Sequence, residues 1–156
     1  MIAMVYSTTQ RVMQGPGSRG PVLGNGPMAF GAPCEGSDFV LDISMSVTSG
    51  NRVLMAAERG EKIPEGWIVD AFGRPTTRPA DYLPGGALVP IAGHKGFGLA
   101  FFGEILAGAL SGLDWDHPGA SPSRQPTSTF LANLAPSDAW NFGHAFVVLK
   151  LVSRSV

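Results

Sequence analysis

The chain has a single cysteine, Cys34, among its 156 residues. That excludes an intrachain disulfide and any zinc site built on cysteines. Cys34 itself reads most simply as a small, partly buried side chain. The three histidines, His94, His117 and His144, fall into no H-x-x-x-H spacing or carboxylate pairing, so no metal centre is expected. Charge is scarce as well: charged residues make up 15% of the chain and the net charge is −1. No basic stripe with interleaved aromatics is present, which argues against a nucleic-acid partner. Long apolar runs are also missing. The most apolar segment, residues 97–113, is interrupted by Glu104 and Ser111 and falls short of the ~20 residues a membrane span needs. The opening residues 1–7 carry no basic leader ahead of a long apolar run and so do not read as a signal peptide. These absences together predict a soluble, cytoplasmic chain with no membrane partner.

Hydrophobic residues, at 44%, are plentiful enough for a packed core, and the length suits one domain. The 21 glycines and 13 prolines cluster in short runs between apolar segments, which predicts many tight turns. Short strands are expected at residues 2–7, 27–31, 39–43 and 67–70, with a last one over 143–152, while residues 87–91 are short and apolar. A helix fits residues 44–59 loosely, with Gly50 weakening its middle and Gly60 stopping it after Arg59. The clearest helix spans 97–110, opened by Gly93-His94-Lys95-Gly96. Leu99, Phe102, Leu106 and Ala109 recur on one face, and Phe101, Ile105 and Leu110 widen it, so burial nearly all round is expected. Glu104 inside that helix must then meet an arginine or a partner, because an unpaired buried carboxylate is costly. Trp67, Trp115 and Trp140 read as core or interface anchors. Residues 76–86 and the Pro/Ser-rich stretch 112–136 read as loops, the second long for a compact domain.

One motif misleads. Gly15-x-Gly17-x-x-Gly20 follows a strand and matches the dinucleotide fingerprint, with Asp38 near the distance of a ribose contact. The fingerprint needs a helix opening at its third glycine. Pro21 and Pro27, with Gly24 and Gly26 between them, forbid one. The stretch is read as a glycine-rich turn.

Two longer blocks carry more. One runs from Phe39-Val40-Leu41-Asp42-Ile43-Ser44-Met45-Ser46 through Ala56-Ala57 and Arg59-Gly60-Glu61 to Ile63-Pro64-Glu65-Gly66-Trp67. The other is Gly85-Gly86-Ala87-Leu88-Val89-Pro90, followed by Gly93-His94-Lys95-Gly96-Phe97-Gly98-Leu99-Ala100. Gly73-Arg74-Pro75-Thr76-Thr77 lies between them. In order and spacing these resemble the malate/L-lactate dehydrogenases, a family that includes ureidoglycolate, sulfolactate and diketogulonate-type reductases. Leu23-Gly24-Asn25-Gly26-Pro27-Met28-Ala29-Phe30 resembles that family's opening pattern, with Gly26 where an asparagine is usual.

The resemblance implies an α/β (α+β) fold: a mixed β-sheet with packed helices forming a non-Rossmann nicotinamide-binding domain. It implies NAD or NADP as cofactor, hydride transfer to and from a small 2-oxo or 2-hydroxy acid or cyclic imine, and a homodimer. Residues 1–112 would form the central cofactor-binding domain, and 113–156 a loop and final strand of the same domain. The family's catalytic histidine belongs to a preceding helical region with no counterpart here. Its C-terminal return segment has none either, so the chain reads as truncated at both ends. Cofactor contacts carried over are Asp42, Ile43 and Ser44, where strand gives way to helix, with Lys95, His94 and Thr9.

Each of these has a plainer reading. Asp42 is equally able to cap the following helix. Lys95 is equally able to be a solvated charge. His94 is of a residue type able to transfer protons but reads rather as a pocket or structural residue. The functional alternatives are an active dehydrogenase, an inactive relic that holds nucleotide, and an interaction module using exposed apolar surface.

Overall fold

The computed structural model describes residues 1–83, 85–111 and 144–149. Strands β1 (Ile2–Ser7), β2 (Met28–Ala32) and β3 (Phe39–Ile43) lead to helix α1 (Gly50–Glu58). Three two-residue strands follow, β4 (Ile68–Val69), β5 (Pro75–Thr76) and β6 (Ala87–Leu88). Helix α2 (His94–Ala107) and strand β7 (His144–Leu149) complete the described elements. The first sheet has the order β3-β2-β1-β7 and the second β5-β4-β6, with antiparallel pairing in both. A parallel bridge between Met13 and Leu88 links the β1–β2 connection to β6. This is an α/β arrangement of open sheets with packed helices, as the resemblance implies.

Alternation along the strands sorts the first sheet into two faces. Register places Met4 opposite Phe30, and Tyr6 opposite both Met28 and Ala145, on the face that α2 covers. There the Tyr6 ring, 7% exposed, meets Phe102 edge-on at 5.9 Å. Beside this contact lies the main core, in which Met13, Met45, Val53, Ile68 and Leu88 are fully buried. Trp67 packs partly buried against it; Trp115, Trp140, His117 and the 112–136 stretch fall outside the described residues.

The glycine-rich turn at 15–20 is a turn in fact. Met13 and Leu23 bridge antiparallel, and the Ser18 hydroxyl accepts the Gly15 amide at 2.9 Å. Gly17 and Gly20 take the left-handed backbone that glycine permits, at φ +73° and +72°, and no helix opens.

Both helices differ from expectation. Helix α1 begins at Gly50, not near residue 44. Ser49 is its N-cap, accepting the Arg52 amide at 3.3 Å. Gly50 is thus the first helical residue rather than a weak middle, and a Cβ there would meet the Tyr82 hydroxyl at 2.8 Å. Helix α2 starts three residues earlier than the periodicity suggested and ends three earlier, with a short 3-10 turn at Ala109–Ser111.

The larger correction concerns which face of α2 is buried. Gly96, Ala100, Gly103, Glu104 and Ala107 are buried, whereas Leu99, Phe101, Phe102 and Ile105 stay exposed. Periodicity could not choose a face, because apolar residues surround the helix. Close approach chose it. A Cβ on Gly26 would lie 2.8 Å from the Ala100 Cα, so the chain at Gly26 sits directly on the helix backbone. A side chain bulkier than alanine at residue 100 would not fit beneath it. Gly26 therefore replaces the asparagine usual at that position with a close backbone contact.

Candidate functional site

The segment after β3 is irregular rather than helical, held from two sides. On one side the Met45 amide donates to the Asn25 carbonyl at 2.7 Å. On the other, the Val47 amide donates to the Val89 carbonyl at 2.8 Å, and the Ile91 amide to the Met45 carbonyl at 2.8 Å. Ser46 and Pro90 form the bridge between these two bonds. The pairing brings the chain that opens α2 alongside Ser44 and Met45.

Two consecutive left-handed residues then turn the chain into α2: Ala92 at φ 47° and Gly93 at φ 60°. A non-glycine residue in that region carries strain that the surroundings must hold in place. His94 and Lys95 occupy the first turn of α2, and both are exposed. That helix end has no side-chain cap and no acidic residue in its first turn. Helix N-termini carry partial positive charge, so a lysine there has the wrong sign unless an anion joins it. Above Gly93, the position a Cβ would take has no atom within 4 Å, leaving the end open. The Lys95 and Gly96 amides are taken by the Ala92 and Ile91 carbonyls, so it is the exposed Lys95 ammonium that fits the phosphate or ribose oxygens of a nicotinamide nucleotide.

The side chains near it follow from the same backbone. The Ser46 hydroxyl donates to the Thr48 carbonyl at 2.7 Å. Ser44, 3.2 Å from the Ser46 oxygen, is then the donor between the two, and its own oxygen is left able to accept. Ile43 packs against the core, so Asp42, one residue back in β3, projects to the opposite face and is exposed. Asp42 does not cap α1; Ser49 does. The strand also does not give way to a helix at residues 42–44, as the sequence had suggested. The structure therefore bonds Met45, next to Ser44, to Ile91, four residues before Lys95, and sends Asp42 and Ile43 to opposite faces of β3. Thr9 is tied to Asn25 twice. Its hydroxyl donates to the Asn25 side-chain oxygen at 2.8 Å and accepts the Asn25 amide at 2.9 Å. Asn25 is the residue that sequence reasoning missed as a support, since its contribution is made largely through its backbone. His144 pairs with Ser7 at the sheet edge, its Nδ1 2.8 Å from the hydroxyl. Among the described residues no group of acidic, histidine or cysteine side chains is placed to hold a metal, and no helix is long and apolar enough to cross a membrane.

Glu104 lies under this framework, 9% exposed. Burial raises its pKa; the Thr9 amide, donating to the carboxylate, and the Arg11 charge pull it part of the way back. The arginine expected near a buried carboxylate is thus Arg11. Unfolded, the carboxyl titrates near its ordinary value of 4.5, and folded it titrates higher. The stability contributed by the protonated form is complete below the lower value and is lost as pH rises through the folded one. Glu104→Gln should remove that loss. Thermal melts from acid to neutral pH should show the parent falling away from the glutamine variant; parallel curves would refute the assignment.

With this geometry in view, comparison with known proteins is decisive. A family model described as malate/L-lactate dehydrogenase matches residues 1–152. The chain belongs to the malate/L-lactate dehydrogenase family. It is 46% identical over 112 residues to a Delta(1)-pyrroline-2-carboxylate/Delta(1)-piperideine-2-carboxylate reductase of Pseudomonas putida, covering 67% of this chain and 33% of that protein. It is 40% identical over 122 residues to a (2R)-3-sulfolactate dehydrogenase (NADP(+)) of Chromohalobacter salexigens, covering 78% and 36%. Among solved structures, a dehydrogenase from Sinorhizobium meliloti superposes with a TM-score of 0.73 at 34% identity, over 93% of this chain and 39% of that one. The chain spans about a third of the length of the curated relatives it matches.

Proposed function

We propose that this malate/L-lactate dehydrogenase family chain is the cofactor-binding part of an NAD(P)-dependent oxidoreductase acting on a small 2-oxo or 2-hydroxy acid. The observation that carries the reading is the exposed Lys95 in the first turn of α2, which no side chain caps, with the chain leading into that turn bonded to the segment after Ser44 through Met45 and Ile91. The family relationship supplies the chemistry: a bound nicotinamide exchanges a hydride with the acid. This chain's residues bind and orient. The exposed Lys95 ammonium holds a phosphate or ribose oxygen. Ser44 accepts a hydrogen bond from the nucleotide, and His94 lies in the same exposed turn as a pocket residue. Asp42 and Thr9 complete the proposed contact set, Thr9 acting chiefly through Asn25, while Ile43, packed on the core, supports the segment from behind.

The test is a fluorescence titration of the 156-residue chain with NADH and with NADPH. Saturable binding is expected. Lys95→Ala should weaken it roughly tenfold, the size of one hydrogen bond to a charged group. Lys62→Ala, an exposed lysine beyond the end of α1, serves as control. Equal affinity in the two variants would remove Lys95 from the site.

A further inference from the structure

Glu104 sits nine residues along α2 from the exposed Lys95 and is itself buried, so it does not reach the proposed nucleotide directly. Its connections lead back there all the same. The carboxylate accepts the Thr9 amide. Thr9 holds Asn25 through the paired bonds of 2.8 and 2.9 Å. The Asn25 carbonyl accepts the Met45 amide at 2.7 Å, and the Met45 carbonyl accepts the Ile91 amide at 2.8 Å. The Ile91 carbonyl then accepts the Gly96 amide at 3.0 Å, which returns the path to α2. The bonds form a closed ring that leaves the helix at Glu104 and rejoins it at Gly96, one residue from Lys95. Every member between them lies outside α2. Ser44 precedes Met45 directly, so the ring fixes where Ser44 stands relative to the start of the helix.

The packing around Glu104 is consistent with an anchor. A Cβ on Gly24 would meet the Thr9 hydroxyl at 2.6 Å and the Glu104 Oε1 at 2.8 Å. Glycine at residue 24 therefore leaves the room through which the carboxylate and Thr9 come together. Burying a carboxylate is costly, and a nonpolar residue would fill the same volume without that cost. A side-chain oxygen that accepts a main-chain amide suits a group whose work is to fix a backbone position.

We propose that Glu104 is a positioning residue for the cofactor site, setting the Ser44–Met45 segment against the first turn of α2 through Thr9 and Asn25. The proposal rests on the nucleotide reading given above, so its test has one arm that does not use nucleotide. In Glu104→Ala, amide exchange at Asn25 and Met45 should speed up about tenfold while amides of α1 keep the parent rate, and NADH affinity should fall about tenfold. Glu104→Gln keeps an oxygen able to accept the Thr9 amide, and should restore both readouts to within about twofold of the parent. The proposal is overturned if the alanine variant leaves Met45 exchange unchanged, speeds all amides alike, or loosens the ring without a change in affinity. Should the alanine variant not fold, Glu104→Asp withdraws the carboxylate by one methylene and should show the same selective pattern; parent-like exchange and affinity there also overturn it. Failure of the parent chain to bind either nucleotide refutes the nucleotide reading instead, and the exchange pattern still decides whether Glu104 holds the ring.

Discussion

Gly96→Ala should destabilise the chain by about 2–4 kcal/mol, whereas Gly98→Ala, in the same helix, should leave it unchanged or gain about 0.5–1 kcal/mol. The two glycines look alike in sequence. A Cβ on Gly96 would run into the Ile91 carbonyl oxygen and lie 2.8 Å from the Ile91 Cγ1. Backbone cannot yield as a side-chain tip does, and that carbonyl also accepts the Gly96 amide at 3.0 Å. The methyl group must therefore push the strained Ala92–Gly93 turn away from α2, disturbing the site as well as the fold. At Gly98 a Cβ would find no atom within 4 Å, so alanine brings only its better helix propensity. Melting curves of the two variants test this directly. Equal melting temperatures would mean that the turn before α2 adjusts freely, and the close packing inferred at Gly96 would be wrong.

Ile68→Ala should cost about 2–5 kcal/mol, the range for deleting a buried aliphatic side chain without full collapse of the space. Ile68 is 0% exposed on the central strand of the β5-β4-β6 sheet, pairing with Thr76 on one side and Leu88 on the other. Three strands of two residues each supply few ladder bonds, so side-chain burial rather than backbone pairing must hold this sheet. Val40→Ala is the matched control. Val40 is 73% exposed on the edge strand β3 and should change stability by no more than about 0.5 kcal/mol. Denaturant midpoints for the two variants decide the matter. Similar midpoints would show that the small sheet contributes little to the cooperative unit.

How much could be read beforehand depended on how local the cause was. The bounds of β1 and β3 were legible because β-branched and aromatic residues sit between turn-forming neighbours. The turn at residues 15–20 was legible because proline forbids the competing helix. The start of α1 was not, since residues 44–49 are held out of a helix by partners near Asn25 and Val89, remote in sequence. The buried face of α2 was misjudged for a related reason. Hydrophobicity surrounds that helix, and the face was decided by how near Gly26 and Tyr6 approach it. Of the candidate site, Lys95 and Ser44 were named from the family resemblance alone, while the bonds that align them run through main-chain atoms and leave no residue signature. Glu104 announced itself as a carboxylate among apolar neighbours, but its link to Thr9 did not.

Cys34 was met first as a scarcity and then as an exposed thiol in the turn between β2 and β3. Its solitude makes it a natural attachment point for a reporter. A maleimide dye would react at one place only, beside the Phe39 end of β3, whereas Ser44 follows the opposite end. With strands rising roughly 3.4 Å per residue, label and proposed nucleotide site lie more than about 13 Å apart along β3. That separation is short enough for energy transfer from a bound reduced nicotinamide and long enough to leave the site untouched. The wild-type sequence thus already contains the means to watch a nucleotide arrive.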